Sequence, residues 1–371
     1  MRIGFIIIAL TILFSLNGYV IVRGWQALPP ASALRPVVLI SMLVLFAALL
    51  AGIIFANTMP AVMAKAVSFV GFSYMLIFVY LFLSFLLVDI VRITNYFIHF
   101  APAGMASFRL WSLIVTLGVT SISMAVGNYK FNHPQVVTLN LSTERPSQHK
   151  KLTIVAVSDI HLGISIDKKD LQKYVKLIND QHPDIVLLAG DASDRSVAPL
   201  INQHMDEEFR SIKAPLGVYA ISGNHEYYAE TPGATADYLR KAGIVFLRDS
   251  ACLVDNSFYV VGRDDRTNRN RKSLKEIVTG LDDNKPKILL DHQPFHLEEA
   301  EQNDIDLQIS GHTHNGQSFP GDLLVKGMYE LGYGYLKKGK THYYVSSGLG
   351  LWGPQYRIGT QSELVVIRLK Y

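Results

Sequence analysis

The sequence predicts two regions of different fold: an N-terminal α-helical transmembrane region, then an α/β domain in which two sheets lie between helices. Three observations predict this. The first third holds four uncharged apolar stretches of 18 to 23 residues. Charge is almost confined to the rest: residues 1–128 carry six Lys or Arg and one acidic residue, Asp89, whereas residues 129–371 carry 29 basic and 30 acidic residues. Beyond residue 128, short apolar runs ending in polar clusters alternate with segments of helical periodicity. The chain has 371 residues, with 49% hydrophobic and only 18% charged, below the usual quarter of charged residues in a soluble domain. Disorder, collagen and coiled coil are excluded. The single cysteine, Cys252, excludes an intramolecular disulfide and a cysteine-rich zinc site.

The four spans are residues 3–22, 37–57, 66–88 and 110–127. About 20 apolar residues cross the hydrocarbon core, and a helix satisfies its own backbone there. A cleavable signal peptide is a poor reading of the first, because no small-residue cleavage site follows and three more spans do. Asp89 and Arg92, three apart at the end of the third span, are placed to pair. Four spans put the N-terminus and residues 129 onward on one side. Arg23, Arg35, Arg92 and Arg109 lie on the other, against Arg2, Lys65 and Lys130. By this count of four against three the positive-inside rule favours the large domain outside the cytoplasm; including Arg145, Lys150 and Lys151 reverses the count.

The domain at 129–371 follows in order. Residues 135–141 alternate with period two, as an edge strand does. Residues 151–158 form a strand that leads into Asp159. Residues 168–180 have helical spacing, with Asp167 as N-cap. Strands are predicted at 184–190, 217–222, 244–247, 258–262, 286–290, 306–310, 342–347 and 363–369, and helices at 198–212 and 234–242.

Where the apolar strands end, polar clusters stand: Asp159-Ile160-His161, then Gly190-Asp191 through Asp194-Arg195, then Gly223-Asn224-His225-Glu226, then Asp291-His292, then Gly311-His312-Thr313-His314. Eleven of the twelve histidines lie in this domain, and five fall in these clusters. The carboxyl ends of strands in open α/β sheets converge on one crevice. One site with nitrogen and oxygen donors is therefore predicted. Its donors exceed what one four-coordinate ion needs and suit two ions sharing a carboxylate. The mixed set is compatible with Mn, Fe or Zn.

Each cluster alone is weak evidence. An Asp-x-His is common, and GNHE reads equally as an ordinary turn. Their joint order over residues 159–314 carries the argument. That order resembles the calcineurin-like metallophosphoesterase superfamily over roughly residues 150–350, and GHTHNGQ (311–317) resembles its bacterial membrane-associated branch. The resemblance implies a four-layer α/β/β/α sandwich and two divalent metal ions. It implies that Asp159, His161 and His314 bind the first ion, that Asn224, His292 and His312 bind the second, and that Asp191 bridges both. It gives His225 the catalytic role at the leaving group, with Asp194 orienting its ring, and it implies attack on phosphorus by solvent ionised at the metals. Arg195 extends the GDxxDR pattern and would contact phosphate, although Ser196 stands where that pattern has glycine.

The expected function is a multi-pass, membrane-anchored phosphoesterase of a bacterial cell membrane. A phosphate ester or diphosphate, amphiphilic or lipid-linked, is the expected substrate, because four spans exceed the anchor a soluble one needs. Residues 316–340, rich in Gly, Tyr and Leu, are a candidate apolar rim. The alternatives are a phosphodiesterase or phosphatase of small soluble esters and a non-catalytic membrane-anchored binding module. The basic run 262–275 also holds Asp264 and Asp265, so it reads as a phosphate site or as a paired, solvated surface. No nucleic-acid partner is expected, since the domain is near neutral.

Overall fold

A computed structural model describes residues 2–100, 105–229, 231 and 233–371. The chain forms two compact units, Met1–Val126 with Gly353–Gln355, and Gly127–Trp352 with Tyr356–Tyr371. The boundary expected after residue 128 thus falls just inside the second unit.

The first unit holds helices α1 (Arg2–Ala27), α2 (Leu34–Phe55), α3 (Ala61–Ile98) and the start of α4 (Ala106–Asn132). Pro29 and Pro30 separate α1 from α2, and Pro60 immediately precedes α3, positions where proline stops or starts a helix without breaking it. Val20, Phe46, Leu49, Tyr74, Phe78 and Leu81 pack between the helices. Asn17 Nδ2 donates to the Tyr74 hydroxyl at 2.9 Å inside this core. Leu43, Val44, Ile54, Leu86, Leu87 and Ile122 face outward instead. Among the described residues, three helices, α2, α3 and α4, are long and apolar enough to cross a membrane, against the four expected. The remaining span, 3–22, falls in α1, where the side chains of residues 2–7, 9 and 10 lie outside the described residues. Helix α3, at 38 residues, is about 57 Å long at 1.5 Å per residue, well beyond the 66–88 core that the sequence marked.

The second unit is an α/β sandwich. Its strands are β1 (Gln135–Ser142), β2 (Lys151–Val157), β3 (Ile185–Leu188), β4 (Val218–Ala220), β5 (Val245–Phe246), β6 (Ser250–Val254), β7 (Phe258–Gly262), β8 (Lys287–Leu290), β9 (Leu307–Ser310), β10 (Gly334–Lys338), β11 (Thr341–Val345) and β12 (Glu363–Lys370). Its helices are α5 (Lys168–Asn179), α6 (Ala198–Asn202), α7 (Asp206–Arg210), α8 (Asn224–Tyr228), α9 (Ala234–Lys241), α10 (Leu274–Val278), α11 (Glu298–Gln302) and α12 (Gly321–Met328). One six-stranded sheet has the order β1-β12-β2-β3-β4-β5, the other β10-β11-β9-β8-β7-β6.

Ile154, Ile185, Leu187 and Val365 of the first sheet meet Val260, Ile288, Leu290 and Ile309 of the second in one core. The opposite face of the first sheet packs Val155, Val186 and Leu188 on Leu171, Tyr174 and Ile178 of α5 and Leu239 of α9. The opposite face of the second packs Val261 and Leu289 on Leu274 and Ile277 of α10 and Ala300 of α11. The result is the four-layer α/β/β/α arrangement. Each central strand is buried on both faces, which is why it reads as a continuous apolar run rather than an alternation.

Asp167 caps α5 as expected, accepting from Lys169 N at 2.9 Å, while Asp170 returns the bond to Asp167 N at 3.3 Å. Such a cap contributes about 1 kcal/mol. The single helix expected at 198–212 is two short helices, α6 and α7, because His204 between them adopts φ 51°, which right-handed helix cannot accommodate.

Candidate metal centre

β2, β3 and β4 run parallel in the first sheet, as do β8 and β9 in the second. Their carboxyl ends therefore open at the same place, and the five polar clusters leave from those ends. Asp159 and His161 follow β2, Asp191 follows β3, Asn224 follows β4, His292 follows β8, and His312 and His314 follow β9.

The structure brings the candidate residues together. Donor atoms of Asp159, His161 and His314 lie within 4.8 Å of one another, as do those of Asp159, Asp191 and His292. His292 Nε2 is 3.2 Å from Asp191 Oδ2, and His161 Nε2 is 3.7 Å from the same oxygen. His314 Nε2 is 3.5 Å from Asp159 Oδ1. His312 Nδ1 and Asn224 Oδ1 are 2.7 Å apart. Asp159, His161, Asp191, Asn224 and His292 are all buried.

The backbone is shaped to this end. Asp159, His161, Asp191, His312 and His314 all have φ between 49° and 71°. Left-handed backbone costs an L-residue roughly 1–2 kcal/mol, so five such residues at one site mark local strain held by the surrounding fold. Two motif glycines are needed for close approach. A Cβ on Gly223 would collide with Asp191 Oδ1, and one on Gly311 with Asp159 Oδ2. In return, His225 N donates to Asp191 Oδ1 at 2.9 Å, and His312 N donates to both Asp159 oxygens at 3.0 and 3.1 Å.

The donor set fits divalent cations. His292 is fully buried; its Nδ1 bonds to the Ala189 carbonyl at 2.8 Å, and its Nε2 has no hydrogen-bond partner. A histidine fixed through one nitrogen with the other left bare is the usual posture of a metal ligand. His161 Nε2 and His314 Nε2 confront each other at 3.2 Å. Burial pushes the His161 imidazole down to about 3. Burial, then the neighbouring Arg357, push His314 well below the usual range, and burial lowers His312. These three rings are thus neutral. Burial alone would raise the Asp191 carboxyl, but His292 beside it outweighs burial and holds it low and ionised, and Asp191 in turn, against burial, raises the His292 imidazole well above the usual range.

His225 stands beside this cluster. Its Nδ1 lies 3.0 Å from Asp194 Oδ1, and its ring meets the His161 ring edge-on at 4.5 Å between centroids. Burial would lower its pKa, but the Asp194 bond and Asp191 outweigh burial and raise it. A His225 nitrogen also lies within 4.8 Å of His161 and Asp191, so position alone does not separate proton donor from ligand. Arg195 is exposed, with its guanidinium carbon 6.0 Å from the Trp352 ring centroid, and Trp352 is 6.2 Å from His225.

Comparison with known proteins agrees with the fold of this unit. Residues 152–316 match the family model for calcineurin-like phosphoesterases. An uncharacterized metallophosphoesterase of Campylobacter jejuni is 34% identical over 268 residues, covering 69% of this chain and 68% of that protein. The chain belongs to the calcineurin-like metallophosphoesterases. It is accordingly a metal-dependent phosphoester hydrolase, of a family that uses a dinuclear divalent centre. A metallophosphoesterase of Aquifex aeolicus is 30% identical over 64% of this chain and 92% of its own length. A transmembrane protein with metallophosphoesterase domain from Danio rerio is 31% identical over 73% of this chain and 65% of that protein. The chain thus spans about two thirds of the Campylobacter and Danio relatives.

Two supporting residues escaped the sequence reading. Glu226, the last residue of GNHE, is buried and accepts from Asp191 N, Ser193 N and Gly223 N at 3.1, 3.0 and 2.7 Å. It clamps two motif loops together. Burial, then the charge of Asp191, push its pKa up to about 7. Its place at the third position of α8 was a local signal for capping. Arg357 is completely buried and donates to the carbonyls of His314, Gly348 and Gly350 at 3.1, 3.0 and 2.6 Å. No motif surrounds it.

Two arginines of the basic run are paired. Arg263 and Arg271 each reach Asp291 at 3.2 Å, and Arg248, outside the run, reaches Asp264 at 2.8 Å. Asp291 is thereby occupied by arginines, although its neighbour His292 joins the cluster. His296 is exposed, and its Nδ1 lies 3.2 Å from Glu298 Oε1.

Asp191→Asn removes the charge shared by both halves of the cluster. The expected result is bound metal falling from two ions per chain to one or none, by elemental analysis of purified protein. Two ions retained in that variant would remove Asp191 from the bridging position.

Proposed function

We propose that this chain is a membrane-anchored phosphoesterase that hydrolyses a phosphate ester or diphosphate on an amphiphilic, lipid-linked substrate. Asp159, His161 and His314 would hold one divalent ion, Asn224, His292 and His312 would hold the other, and Asp191 would serve both. Mn, Fe and Zn all suit these donors. When bound, the ions neutralise charge on the phosphoryl oxygens and acidify water near neutral pH. The chain's own residues do the rest. Asp194 accepts the Nδ1 proton of His225 and fixes its tautomer, so that Nε2 carries the mobile proton toward the departing oxygen. Arg195, braced on Trp352, is set to meet the outer phosphate oxygens. No covalent phosphoenzyme is required, because the nucleophile is solvent. A non-catalytic module has little need for the His225–Asp194 pair.

The observation that carries the substrate class is α12. It packs directly on the turn bearing His314, and it leaves Leu323, Leu324 and Met328 exposed, with Phe319 just before it. Clustered exposed side chains of this kind mark an interaction surface. Beside a phosphoester site, that surface suits acyl or isoprenyl chains. The transmembrane relative and the three apolar helices support the anchor. The arginine excess in the 23–36 and 89–109 loops supports a domain facing away from the cytoplasm.

Three measurements test this reading. A reporter enzyme active only outside the cytoplasm, fused after Tyr371, is expected to be active; activity of a cytoplasm-only reporter reverses the topology. Leu324→Glu with Met328→Glu is expected to depress hydrolysis of a lipid-linked diphosphate in mixed micelles while sparing bis-p-nitrophenyl phosphate. Equal loss on both substrates removes the apolar rim from the mechanism. Lastly, His225→Ala is expected to keep near-normal metal content and lose about 10²–10⁴-fold in kcat, with a smaller loss on good leaving groups such as p-nitrophenolate. An emptied metal site would make His225 a ligand, and unchanged turnover on a poor leaving group would end the proton-donor role.

A further inference from the structure

The helical unit contains a second polar site that phosphoester chemistry does not use. Arg23 of α1, Asp89, Arg92 and Asn95 of α3, His99 after it, and Arg109 of α4 line a cavity of about 590 Å³. All come from the same end of the helix bundle. Asp89 is already shared, with Arg23 Nη2 at 2.6 Å, Arg92 Nη1 at 3.0 Å and the Tyr19 hydroxyl at 2.8 Å. Arg109 forms no ion pair among the described residues, and its Nε is buried with no hydrogen-bond partner, as is the Nε of Arg23. Three guanidinium groups therefore surround one carboxylate, which leaves two positive charges around the cavity uncompensated.

Depth makes this costly. Asp89 immediately follows the last residue of the uncharged 66–88 stretch, so the cluster sits at the polar edge of the apolar layer. Ionisable groups at such a depth are retained where they bind or pair with something. The planar guanidinium fork matches phosphate oxygens in pairs, and a few hundred cubic ångströms accommodates a small anionic group. Around the same helix end, Tyr96, Phe97, Ile98 and Phe100 are exposed, an aromatic and apolar collar suited to the headgroup boundary.

We propose that this cavity binds a phosphate-bearing anion, with Arg109 and Arg92 as its principal contacts. Its depth favours the phosphodiester headgroup of an anionic lipid over phosphate free in solution. That choice of source rests on the membrane reading above; the arginine chemistry does not.

The test uses full-length, metal-loaded protein extracted in dodecyl maltoside from carbonate-washed membranes. Recovery in that washed fraction reports on the anchor by itself. Dioctanoyl phosphatidylglycerol and inorganic phosphate are then titrated separately, and binding is read by thermal shift. The expected result is saturable binding of phosphatidylglycerol that weakens about tenfold or more in Arg92→Gln with Arg109→Gln, as loss of charge-assisted hydrogen bonds requires. Any anion held at the catalytic centre persists in that variant, so only the difference counts. Unchanged hydrolysis of bis-p-nitrophenyl phosphate by the variant shows that the fold and the catalytic reading stand apart from this site. If inorganic phosphate shows the same arginine-dependent binding as the lipid, the site is a phosphate site and the headgroup assignment is overturned. If neither ligand distinguishes wild type from variant, the site itself is overturned.

Discussion

Asp159 and Asp191 are carboxylates that solvent does not reach, held beside the same imidazoles, and a charge in such a place must be balanced locally. Much of the second unit answers that demand. The loop after β9 turns its His312 N–H onto Asp159, and α8 begins by turning the His225 N–H onto Asp191. Glu226 ties the Asp191 loop to the Gly223 loop, and Arg357 holds the carbonyl of His314. The left-handed residues at the strand ends are the local cost, offset by the packing of two sheets and their helices. Remove the need to assemble donors around two carboxylates, and these conformations lose their reason.

The same side chain behaves differently elsewhere in the molecule. Asp291 is buried too, but two guanidinium groups meet it. Asp89 at the helix ends is likewise met by two. Asp159 and Asp191 have no arginine or lysine within ion-pairing distance among the described residues; the imidazole nitrogens of His161, His292 and His314 face them instead. A buried carboxylate supplied with guanidinium is finished as a structure. One faced by imidazoles alone is not, and that contrast distinguishes a cation site from an internal salt bridge.

Legibility followed the range of the interactions. Buried parallel strands announce themselves as apolar runs, and the polar residues at their ends share one crevice by topology, so Asp159, Asp191, Asn224, His292 and His312 could be grouped without coordinates. The cap at Asp167 is local and was equally plain. β6 and β10 were not read: β10, GYLKK, is a short half-buried edge strand whose pairing with β11 is what makes it a strand. The break at His204 depends on one residue's φ. Arg357 is invisible because all its carbonyl partners lie elsewhere in the chain or in irregular loops. The charge of the 262–275 run could be counted, but not its pairing with Asp291.

The placement of β12 has a consequence for synthesis. Residues 363–370 lie between β1 and β2, parallel to the first and antiparallel to the second. β1, the domain's first strand, is joined to its sheet only through β12. Until the ribosome has released residues 363–370, the first sheet lacks an inner strand, and Glu363, which accepts from Ser347 N at 3.0 Å, cannot secure the segment after β11. The helices that precede this domain emerge first, so a nascent chain would wait with its sandwich open at one edge. Proteases and chaperones would meet the domain in that interval, before residues 363–370 close the sandwich.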